Sequence, residues 1–555
     1  MFSIASRCTL TLLLAMTLAS DGSSQTQVIA PHILNVEEGS SSTASLTTPR
    51  NVGDLDNDGV DDQAYGSALH DGSGTDAGYV VVRSGSDGST LWSASGNSAG
   101  DLFGWSLASI GDLDDDGVAE IAIGAPGLIN GSSAGRVTIH SGTDGSVLHT
   151  FTGSSAGDCF GYALDGAGDY DLDGDDDILV GAPFEDANGT DSGAAYIFSG
   201  GDFSLLESVS GSAAGDLLGA AVKGLPPRGA WSGHDPGLII GAPNGGSSDQ
   251  GIVEFRDGTD FTTVNSSVSG TATNDRFGIS LAIPGDLDED TFLDVLIGAD
   301  PVDSSGSSTG ISYVRVISGD DGSTLWTVNG PTGAAFGRAV SGIGDMDGDA
   351  IPDWAVGAPL DNANGTDAGA LFVYSGTDAS LLHVMRGTAG SEFGSAICHA
   401  GDIDDDGLED LLVSAPLDDS AGTDQGVILT VSFTRFDTVG DGVPGVNGVP
   451  EIHSQGTLQP LSNLTLVLTE GRASASAVLI MGHSLIFDST HQIFVPLPDT
   501  STSGYSTDSV GRLEVSDTWP AGFAAGTLVY WQIHVADTAA SNDVAISQLI
   551  SGVTP

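Results

Sequence analysis

Hydrophobic residues occur in short runs along this chain, separated by segments rich in Gly, Asp and Ser. In one representative segment, Phe103 to Ile110 reads as a strand, and Ile121-Ala122-Ile123 is apolar throughout. Val137 and Ile139 then alternate with polar neighbours, which is typical of a strand with one buried face. Asp144-Gly145 predicts a tight hairpin turn of the primed type, leading into a fourth run. The segment therefore predicts four short antiparallel strands.

The four-strand pattern repeats along the chain. A Gly-Ala-Pro string or a variant of it recurs every 57 to 60 residues, starting at Gly66, Gly124, Gly181, Gly241, Gly298, Gly357 and Ser414. About twenty residues before six of these strings lies Phe-Gly or a variant, starting at Phe103, Phe160, Leu218, Phe277, Phe336 and Phe393. Seven units of this size predict a seven-bladed β-propeller over residues 31–435. A β-helix would have shorter repeats, and separate sandwich domains would need about 100 residues each.

The closure of this ring is also predicted. The last unit supplies three strands, ending with Val427 to Phe433. The N-terminal run Ile33-Leu34-Asn35-Val36 matches the fourth strand of other units, such as Val147-Leu148-His149-Thr150. We therefore expect the N-terminal run to complete blade seven.

Composition and charge narrow the possible functions. The chain has 75 acidic and 14 basic side chains, a formal charge of −61 and 81 glycines, and Lys223 is its only lysine. Asp and Gly favour turns, whereas helices favour Glu, Lys, Ala and Leu, so an all-β protein is expected. Nucleic acid is excluded as a partner because phosphate binding requires a basic face. An anionic membrane surface is disfavoured for the same reason.

Three segments lie outside the repeats. Residues 1–24 contain a short apolar stretch, Thr9 to Leu18, followed by small residues, and predict a signal peptide with a secreted or cell-surface location. This stretch is too short to span a bilayer, and no later segment approaches transmembrane length. Residues 436–450 are rich in Gly, Pro and Val and predict a linker. Residues 451–555 contain further short apolar runs and predict a small β-sandwich-like domain.

An acidic loop follows the first strand of every unit except the fourth. Its form is Asp-x-Asp-x-Asp-Gly-x-x-Asp, with small departures. Alternate carboxylates on a tightly curled loop converge on one point and repel each other unless a cation is bound. Calcium accepts six to eight hard oxygen ligands in flexible geometry, magnesium prefers a stricter octahedron, and zinc would require His or Cys. We therefore expect about six structural Ca²⁺ ions.

The expected metal ligands are four carboxylates per loop: Asp54, Asp56, Asp58 and Asp62; Asp112, Asp114, Asp116 and Glu120; Asp169, Asp171, Asp173 and Asp177; Asp286, Asp288, Asp290 and Asp294; Asp345, Asp347, Asp349 and Asp353; and Asp402, Asp404, Asp406 and Asp410.

The loops are not equivalent. The sixth position needs a left-handed backbone, which glycine adopts without strain, and four loops have it: Gly59, Gly117, Gly174 and Gly407. Thr291 and Ala350 replace it in units five and six, so calcium is expected to bind more weakly there. The fourth unit lacks the loop, and we expect Lys223 to place its charge where the ion would otherwise lie.

These three marks together, the Phe-Gly opening, the acidic loop and the Gly-Ala-Pro close, resemble FG-GAP repeats. Such repeats build the β-propeller of integrin α subunits and occur in many secreted bacterial proteins. In that family the loops hold structural calcium on one face of the disc, and partners usually bind elsewhere. The resemblance implies calcium at all six loops, with further ligands from the backbone carbonyls of Val60, Val118, Asp175, Phe292, Ile351 and Leu408. It does not imply a particular ligand, because fold does not determine function.

The preferred hypothesis is a secreted or surface-associated binding or adhesion module for protein or glycan ligands. It is not an enzyme, and its calcium is mainly structural. One alternative is a propeller enzyme, either a hydrolase acting at the central channel or a quinoprotein-like oxidoreductase. Another is a purely structural surface component. Converging His, Arg and carboxylate side chains at the channel mouth would favour the enzyme. An exposed aromatic or acidic patch opposite the calcium loops would favour binding.

Overall fold

The computed structural model describes residues 28–38, 47–128, 131–225, 237–301, 310–404, 407–418 and 426–438, together with the strands between residues 451 and 553. These residues form 38 β-strands and no helix. The described part of the chain therefore contains no helix able to cross a membrane. The expected signal peptide, Asp406 and most of the expected linker lie outside the described residues.

The first strand is β1 (Val28–Glu38). Blade one contains β2 (Thr48–Gly53), β3 (Asp62–Ser67), β4 (Tyr79–Arg83) and β5 (Thr90–Ser95). Blade two contains β6 (Ser106–Ser109), β7 (Ile121–Ala125), β8 (Arg136–His140) and β9 (Val147–Thr152). Blade three contains β10 (Ala163–Gly168), β11 (Asp177–Ala182), β12 (Ala194–Phe198) and β13 (Leu205–Ser210).

Blade four contains β14 (Ala221–Gly224), β15 (Leu238–Ala242), β16 (Ile252–Arg256) and β17 (Val264–Ser269). Blade five contains β18 (Phe277–Gly285), β19 (Asp294–Ala299), β20 (Tyr313–Ile317) and β21 (Thr324–Asn329). Blade six contains β22 (Ala339–Gly342), β23 (Trp354–Ala358), β24 (Ala370–Tyr374) and β25 (Leu381–Arg386). Blade seven contains β26 (Ile397–Gly401), β27 (Asp410–Ala415) and β28 (Val427–Thr438).

The first strands of the blades contact one another in a closed cycle, β2, β6, β10, β14, β18, β22, β26 and back to β2. They therefore surround a central channel, and each blade extends outwards from it in sequence order. The predicted seven-bladed propeller is confirmed.

Blade seven is completed by the N-terminal strand. β1 pairs antiparallel with β28, from Val28 opposite Phe436 to Glu38 opposite Val427. Val36 lies opposite Leu429 in this register. The predicted closure is confirmed, and β28 runs to Thr438, beyond the expected end of the propeller.

Ten further strands follow the ring. They are β29 (Glu451–Gly456), β30 (Asn463–Thr469), β31 (Ser476–Gly482), β32 (Leu485–Asp488), β33 (Ile493–Pro496), β34 (Thr500–Ser506), β35 (Leu513–Thr518), β36 (Leu528–Ala536), β37 (Val544–Ile546) and β38 (Ile550–Val553). β29, β30 and β35 form one sheet, β32 and β33 a second, and β31, β34, β36, β37 and β38 join β28 in a third. The expected β-rich character is present, whereas a separate sandwich domain stays a prediction.

Burial follows the position of a strand within its blade. The second strand of every blade is buried along its whole length, as in β7. Neighbouring blades cover both of its faces, which explains the continuous apolar run there. The fourth strand lies at the rim and alternates: in β9, Phe151 is buried whereas its neighbours Thr150 and Thr152 are exposed.

Adjacent blades share apolar cores of unequal size. The core between blades six and seven has fourteen buried residues. Among the described side chains, the core between blades seven and one has five: Tyr65, Val81, Ala400, Leu412 and Ile428. An ion pair on the same seam, Arg83 Nη2 to Glu37 Oε1 at 2.6 Å, joins β4 to β1. β1 therefore adds a polar contact across the closing seam, beside this small described core.

The two repeated strings lie at contacts between blades. A Cβ atom added to Gly66 would collide with the carbonyl oxygen of Gly104 in the next blade, and the same holds from blade to blade up to Gly357. Gly104 N in turn donates to Gly124 O of its own blade at 2.9 Å. Phe103, 3% exposed, forms a parallel β-bridge with Gly78 of the preceding blade. Glycine is needed because two backbones meet there, and this close packing accounts for the repeat.

Two local expectations were wrong. Phe103 lies ahead of β6 (Ser106–Ser109), so the opening strand is shorter than expected, because Phe103 and Gly104 are used for the contact between blades. The hairpin at Asp144-Gly145 is not a primed turn, since only Gly145 has positive φ. Ser141 N donates to Ser146 O at 2.9 Å, which leaves a four-residue loop. Asp144 Oδ1 accepts from Ser146 N at 2.8 Å and stabilises this wider turn.

Candidate metal loops and central channel

All six acidic loops connect the first strand of a blade to its second. The first strands are innermost and run in the same direction around the ring. The loops therefore lie on one face of the disc, close to the channel. The segments that lead into the first strands lie on the opposite face.

The folded loops bring the expected carboxylates together. Three ligand oxygens lie within 4.8 Å of one another in each of five groups: Asp54, Asp56 and Asp58; Asp112, Asp114 and Glu120; Asp169, Asp171 and Asp177; Asp286, Asp288 and Asp290; and Asp345, Asp347 and Asp353. In blade seven, Asp402 and Asp404 follow β26 and Asp410 begins β27, while Asp406 lies outside the described residues.

The first carboxylate of the loop shapes the turn. Asp54 accepts hydrogen bonds from Asp58 N at 3.0 Å and Gly59 N at 2.9 Å. Asp286 accepts from Asp290 N and Thr291 N in the same way, at 3.1 and 2.8 Å. One side chain thus satisfies two backbone donors that the tight curl leaves without a strand partner.

The sixth residue of the loop has the expected left-handed backbone. Its φ is 96° at Gly59, 81° at Thr291 and 74° at Ala350. No atom lies within 4 Å of a Cβ built on Gly59, so a side chain there would strain the backbone without a steric clash. The two non-glycine loops therefore carry conformational strain of about 1 kcal/mol each.

The carboxylate at the ninth position of the loop has a structural role that sequence reasoning missed. It is fully buried, 0% exposed, in all six loops: Asp62, Glu120, Asp177, Asp294, Asp353 and Asp410. Asp62 accepts hydrogen bonds from Leu55 N in its own loop at 2.7 Å and from Gly85 N in the hairpin after β4 at 2.9 Å. In blades one, three, five and six the carboxylate at the ninth position therefore ties the loop to the hairpin between the third and fourth strands, because Gly85, Gly200, Gly319 and Gly376 donate to it.

A recurring Ser-Gly string after the third strand is the sequence signal for this contact. The glycine makes the contact in Ser84-Gly85, Ser199-Gly200, Ser318-Gly319 and Ser375-Gly376, and the same string stands in blade two as Ser141-Gly142. The residue that follows this string can also donate a hydrogen bond to the carboxylate at the fifth position of the loop. Thr143 Oγ1 donates to Asp116 Oδ2 at 2.7 Å, and Thr377 Oγ1 donates to Asp349.

The electrostatics of the loops are unfavourable for carboxylates alone. Burial raises the pKa of Asp62 and of Asp177 to about 6. Burial also raises the pKa of Glu120, of Asp294 and of Asp353 to about 7. At Glu120, the charges of Asp112, Asp114 and Asp116 act in the same direction. A buried carboxylate among like charges is costly unless a positive group compensates it.

The loops fit a hard divalent cation. Glu120 Oε1 and Asp169 Oδ1 are buried and have no hydrogen-bond partner among the described residues. Both residues belong to the converging groups of their loops. Unsatisfied carboxylate oxygens aimed at one point are the donor set that such a cation takes.

Lys223 does not take the place of an ion. It lies on β14 in the channel wall, four residues before the point where a loop would begin, and its Nζ is 2.8 Å from Asp165 Oδ2. Asp165 Oδ1 is also 2.8 Å from Arg50 Nη2, and Gly224 N donates to Asp165 Oδ2 at 3.1 Å. Burial alone would raise the pKa of Asp165, but Lys223 and Arg50 outweigh it and hold this pKa below its usual range.

These channel residues occupy equivalent positions on different blades. Each of them is paired with the residue two places before the start of its blade's Gly-Ala-Pro string. The pairs are Arg50 with Ala64, Asp165 with Leu179, Lys223 with Ile239, and Cys398 with Leu412. Ring closure therefore places the four residues at one level of the channel. Asn51 N donates to Cys398 Sγ at 3.4 Å across the closing seam.

Comparison with known families identifies the repeat. The FG-GAP repeat family matches residues 103–140, 160–198 and 393–430, which span the Phe-Gly string to the third strand of blades two, three and seven. The chain carries FG-GAP repeats. The resemblance inferred from the three sequence marks is therefore confirmed.

The FG-GAP region is also similar to integrin α chains. Integrin alpha-5 of Xenopus laevis is 28% identical over 267 residues, 46% of this chain and 20% of the relative. Integrin alpha-PS2 of Drosophila melanogaster is 28% identical over 284 residues, 49% of this chain and 16% of the relative. Integrin alpha-E of Mus musculus is 36% identical over 96 residues, 16% of this chain and 8% of the relative. The chain spans about a fifth or less of the length of these curated relatives.

Proposed function

We propose that this protein is a secreted or surface-associated calcium-binding propeller that acts as a binding or adhesion module for an extracellular protein or glycan. The observation that carries the proposal is a group of converging carboxylates that recurs in the same loop of successive blades. These blades form a ring with FG-GAP repeats and similarity to integrin α chains. Calcium is the preferred cation because every side-chain donor is a carboxylate and the loops vary in detail. Flexible oxygen coordination tolerates such variation, whereas magnesium requires a strict octahedron.

The proposed role of calcium is mainly structural. In blade two the ion would be held by Asp112, Asp114, Asp116 and Glu120, with the carbonyl of Val118 as a further ligand. The bound ion supplies positive charge at the loop centre. It would thereby stabilise the ionised, buried Glu120, whose side chain also accepts from Leu113 N. A metal that binds only the folded loop stabilises the fold by mass action.

Two features of the channel favour binding over catalysis. Trp105 is 37% exposed just before β6, on the face opposite the acidic loops, and offers an aromatic contact. Asp165 has a lowered pKa and accepts from Lys223, Arg50 and Gly224 N, so it is a poor proton donor near neutral pH. The similarity to integrin α chains supports an adhesion role in the same direction.

Two measurements test the proposal. Calorimetric titration of the chelator-treated full chain should show uptake of about six Ca²⁺ ions, with weak or no uptake of Mg²⁺ at the same concentrations. A glycan array and a pull-down from surface extract, each with calcium and with EDTA, should show ligand capture that depends on calcium. No calcium uptake would overturn the metal part. Saturated calcium sites with no captured ligand would favour a purely structural surface component.

A further inference from the structure

The central channel contains a net positive cluster in a chain whose formal charge is −61. Arg50 and Lys223 each lie 2.8 Å from Asp165, so two basic side chains share one carboxylate. The Asp165 side chain is 7% exposed, whereas the side chains of Arg50 and Lys223 are 27% and 24% exposed. The excess positive charge is therefore on the two groups that solvent reaches.

Arg50 retains unused hydrogen-bond donors. Its Nη2 donates to Asp165 Oδ1, and the described residues offer the guanidinium no second hydrogen-bond partner. A guanidinium has five N–H donors in a planar fork that suits a carboxylate. Arg50 also lines a cavity of about 270 Å³ at the channel mouth, together with Thr48, Trp105, Leu164 and Val222. An anion entering this cavity would meet the free side of the fork.

The aromatic wall of the cavity is held in place. Thr48 Oγ1 donates to the carbonyl of Trp105 at 3.1 Å. The Trp105 ring lies 5.4 Å from the ring of Tyr162 in the next blade. Ser106 Oγ donates to Gly161 O at 2.7 Å, which fixes the same pair of blades. A site whose walls are already ordered loses little conformational entropy on binding.

The large negative charge of the chain does not cancel this local field. The acidic loop of blade one begins four residues after Arg50, about 13 Å along the strand at roughly 3.3 Å per residue. Its nearest carboxylate in the chain fold, Asp61, already accepts a hydrogen bond from Asn51 Nδ2 at 2.8 Å. The Debye length is about 8 Å at physiological ionic strength, so the loop carboxylates are largely screened from an anion at the mouth. The groups within the channel therefore decide which charge is accepted there.

We propose that the channel mouth binds an acidic sugar residue, with Arg50 holding its carboxylate and the exposed Trp105 packing against its ring. This inference rests on the proposed binding function and assigns it a site and a ligand class. The cavity lies just below the range of roughly 300–1,000 Å³ for small-molecule pockets, so it suits one ring better than a folded partner. Lys223 adds positive charge beside Asp165 and keeps the cluster net cationic.

Lys223 gives a direct probe because it is the only lysine. Reductive ¹³C-methylation preserves its charge and yields one side-chain NMR signal in the channel. We expect a short oligogalacturonate, titrated into the full chain with calcium present, to shift this signal saturably. A neutral galactose oligomer of equal length should leave it unchanged. A Glu-rich peptide serves as the second acidic probe.

Variants separate recognition from folding. Arg50→Gln should weaken uronate binding about tenfold to a hundredfold, since a hydrogen bond to a charged group is lost. Arg50→Lys should recover part of the affinity, and Trp105→Ala should weaken binding independently. Arg83→Gln is the matched control: it removes the same charge from a side chain that is 28% exposed and lies outside the channel.

Each outcome decides the inference. A shift with the peptide but not with the uronate overturns it in favour of an acidic protein partner. No shift with either probe, combined with a lower melting temperature of Arg50→Gln, makes the cluster a structural plug of the channel. If Arg50→Gln still captures an extracellular ligand in the presence of calcium, the proposed function survives and this site is excluded. If calcium uptake fails while the uronate shift persists, the calcium part of the proposed function is excluded and the channel site survives.

Discussion

Blades three and four are neighbours, but different side chains stabilise the hairpin between the third and fourth strands in each. In blade three, the buried Asp177 accepts from Tyr170 N in its loop at 2.8 Å and from Gly200 N in the hairpin at 3.0 Å. In blade four, Gly237 stands at the position of Asp177, four residues before the Gly-Ala-Pro glycine. Blade four therefore lacks the carboxylate that links loop and hairpin in blades one, three, five and six.

Blade four uses a side-chain cation instead. Arg256, 6% exposed, donates through Nη1 to the carbonyl of Phe261 at 2.8 Å. Its Nε lies 3.1 Å from Glu254 Oε2. Phe261 N in turn donates to Tyr170 Oη of blade three at 2.9 Å. A buried side chain therefore satisfies a backbone group of the hairpin in both blades, a carboxylate in blade three and a guanidinium in blade four.

Removal of calcium by a chelator should have the largest effect on stability, because it acts on every blade except blade four. At calcium concentrations a hundred times Kd each site contributes about 2.7 kcal/mol, so six sites contribute on the order of 15 kcal/mol. We expect EDTA to lower the melting temperature by more than about 10 °C. Scanning calorimetry with and without chelator measures this shift. A melting curve that EDTA leaves unchanged would remove the distinction between blade four and its neighbours.

Removal of β1 should have the second largest effect, and calcium should not rescue it. A chain beginning at Ser45 loses all pairing from Val28 opposite Phe436 to Glu38 opposite Val427, and the Arg83–Glu37 ion pair. It also exposes the edge of β28, which invites association with other chains. We expect a lower melting temperature and oligomers by size exclusion, relative to a chain beginning at Val28. Equal melting and monomeric elution of the two chains would show that the closing seam is stable without β1.

Arg256→Met should destabilise blade four by about 2 kcal/mol, because the carbonyl of Phe261 loses its buried donor. The loss should be the same in calcium and in EDTA, since no ion is involved. Glu120→Gln in blade two is the matched comparison and should cost stability mainly when calcium is present. Denaturant titration of both variants in both buffers measures the difference. A calcium-dependent effect of Arg256→Met would contradict the assignment of a metal-free contact to this hairpin.

Ala350→Gly should have the smallest effect and should strengthen calcium binding at one site. It relieves a left-handed alanine, worth about 1 kcal/mol, which corresponds to roughly fivefold in affinity. Gly117→Ala in blade two is the reverse change, at a glycine with no atom within 4 Å of the added Cβ. It should weaken its site by a similar factor. Calorimetric titration resolves both, and unchanged affinities would exclude backbone strain as the source of unequal sites.

Most of the fold could be predicted because its signals are local and repeated. The Gly-Ala-Pro spacing defines seven units, and the match of residues 33–36 to a fourth strand identifies the closure. The loop carboxylates were found for the same reason, since Asp54, Asp56 and Asp58 converge through one tight turn. The Ser-Gly string was visible too, but its role was not, because Gly85 meets Asp62 only after a hairpin folds back.

The sequence alone determined the blade number, the strand order, the closing strand and the position of the acidic loops, because each depends on residues close together or on a regular period. Only the tertiary structure decided where the single lysine acts. Arg50, Asp165 and Lys223 belong to three different blades, and no local pattern links them. They meet because equivalent positions of the first strands are brought to one level when the ring closes. The same closure turns the Gly-Ala-Pro and Phe-Gly strings into backbone contacts between blades.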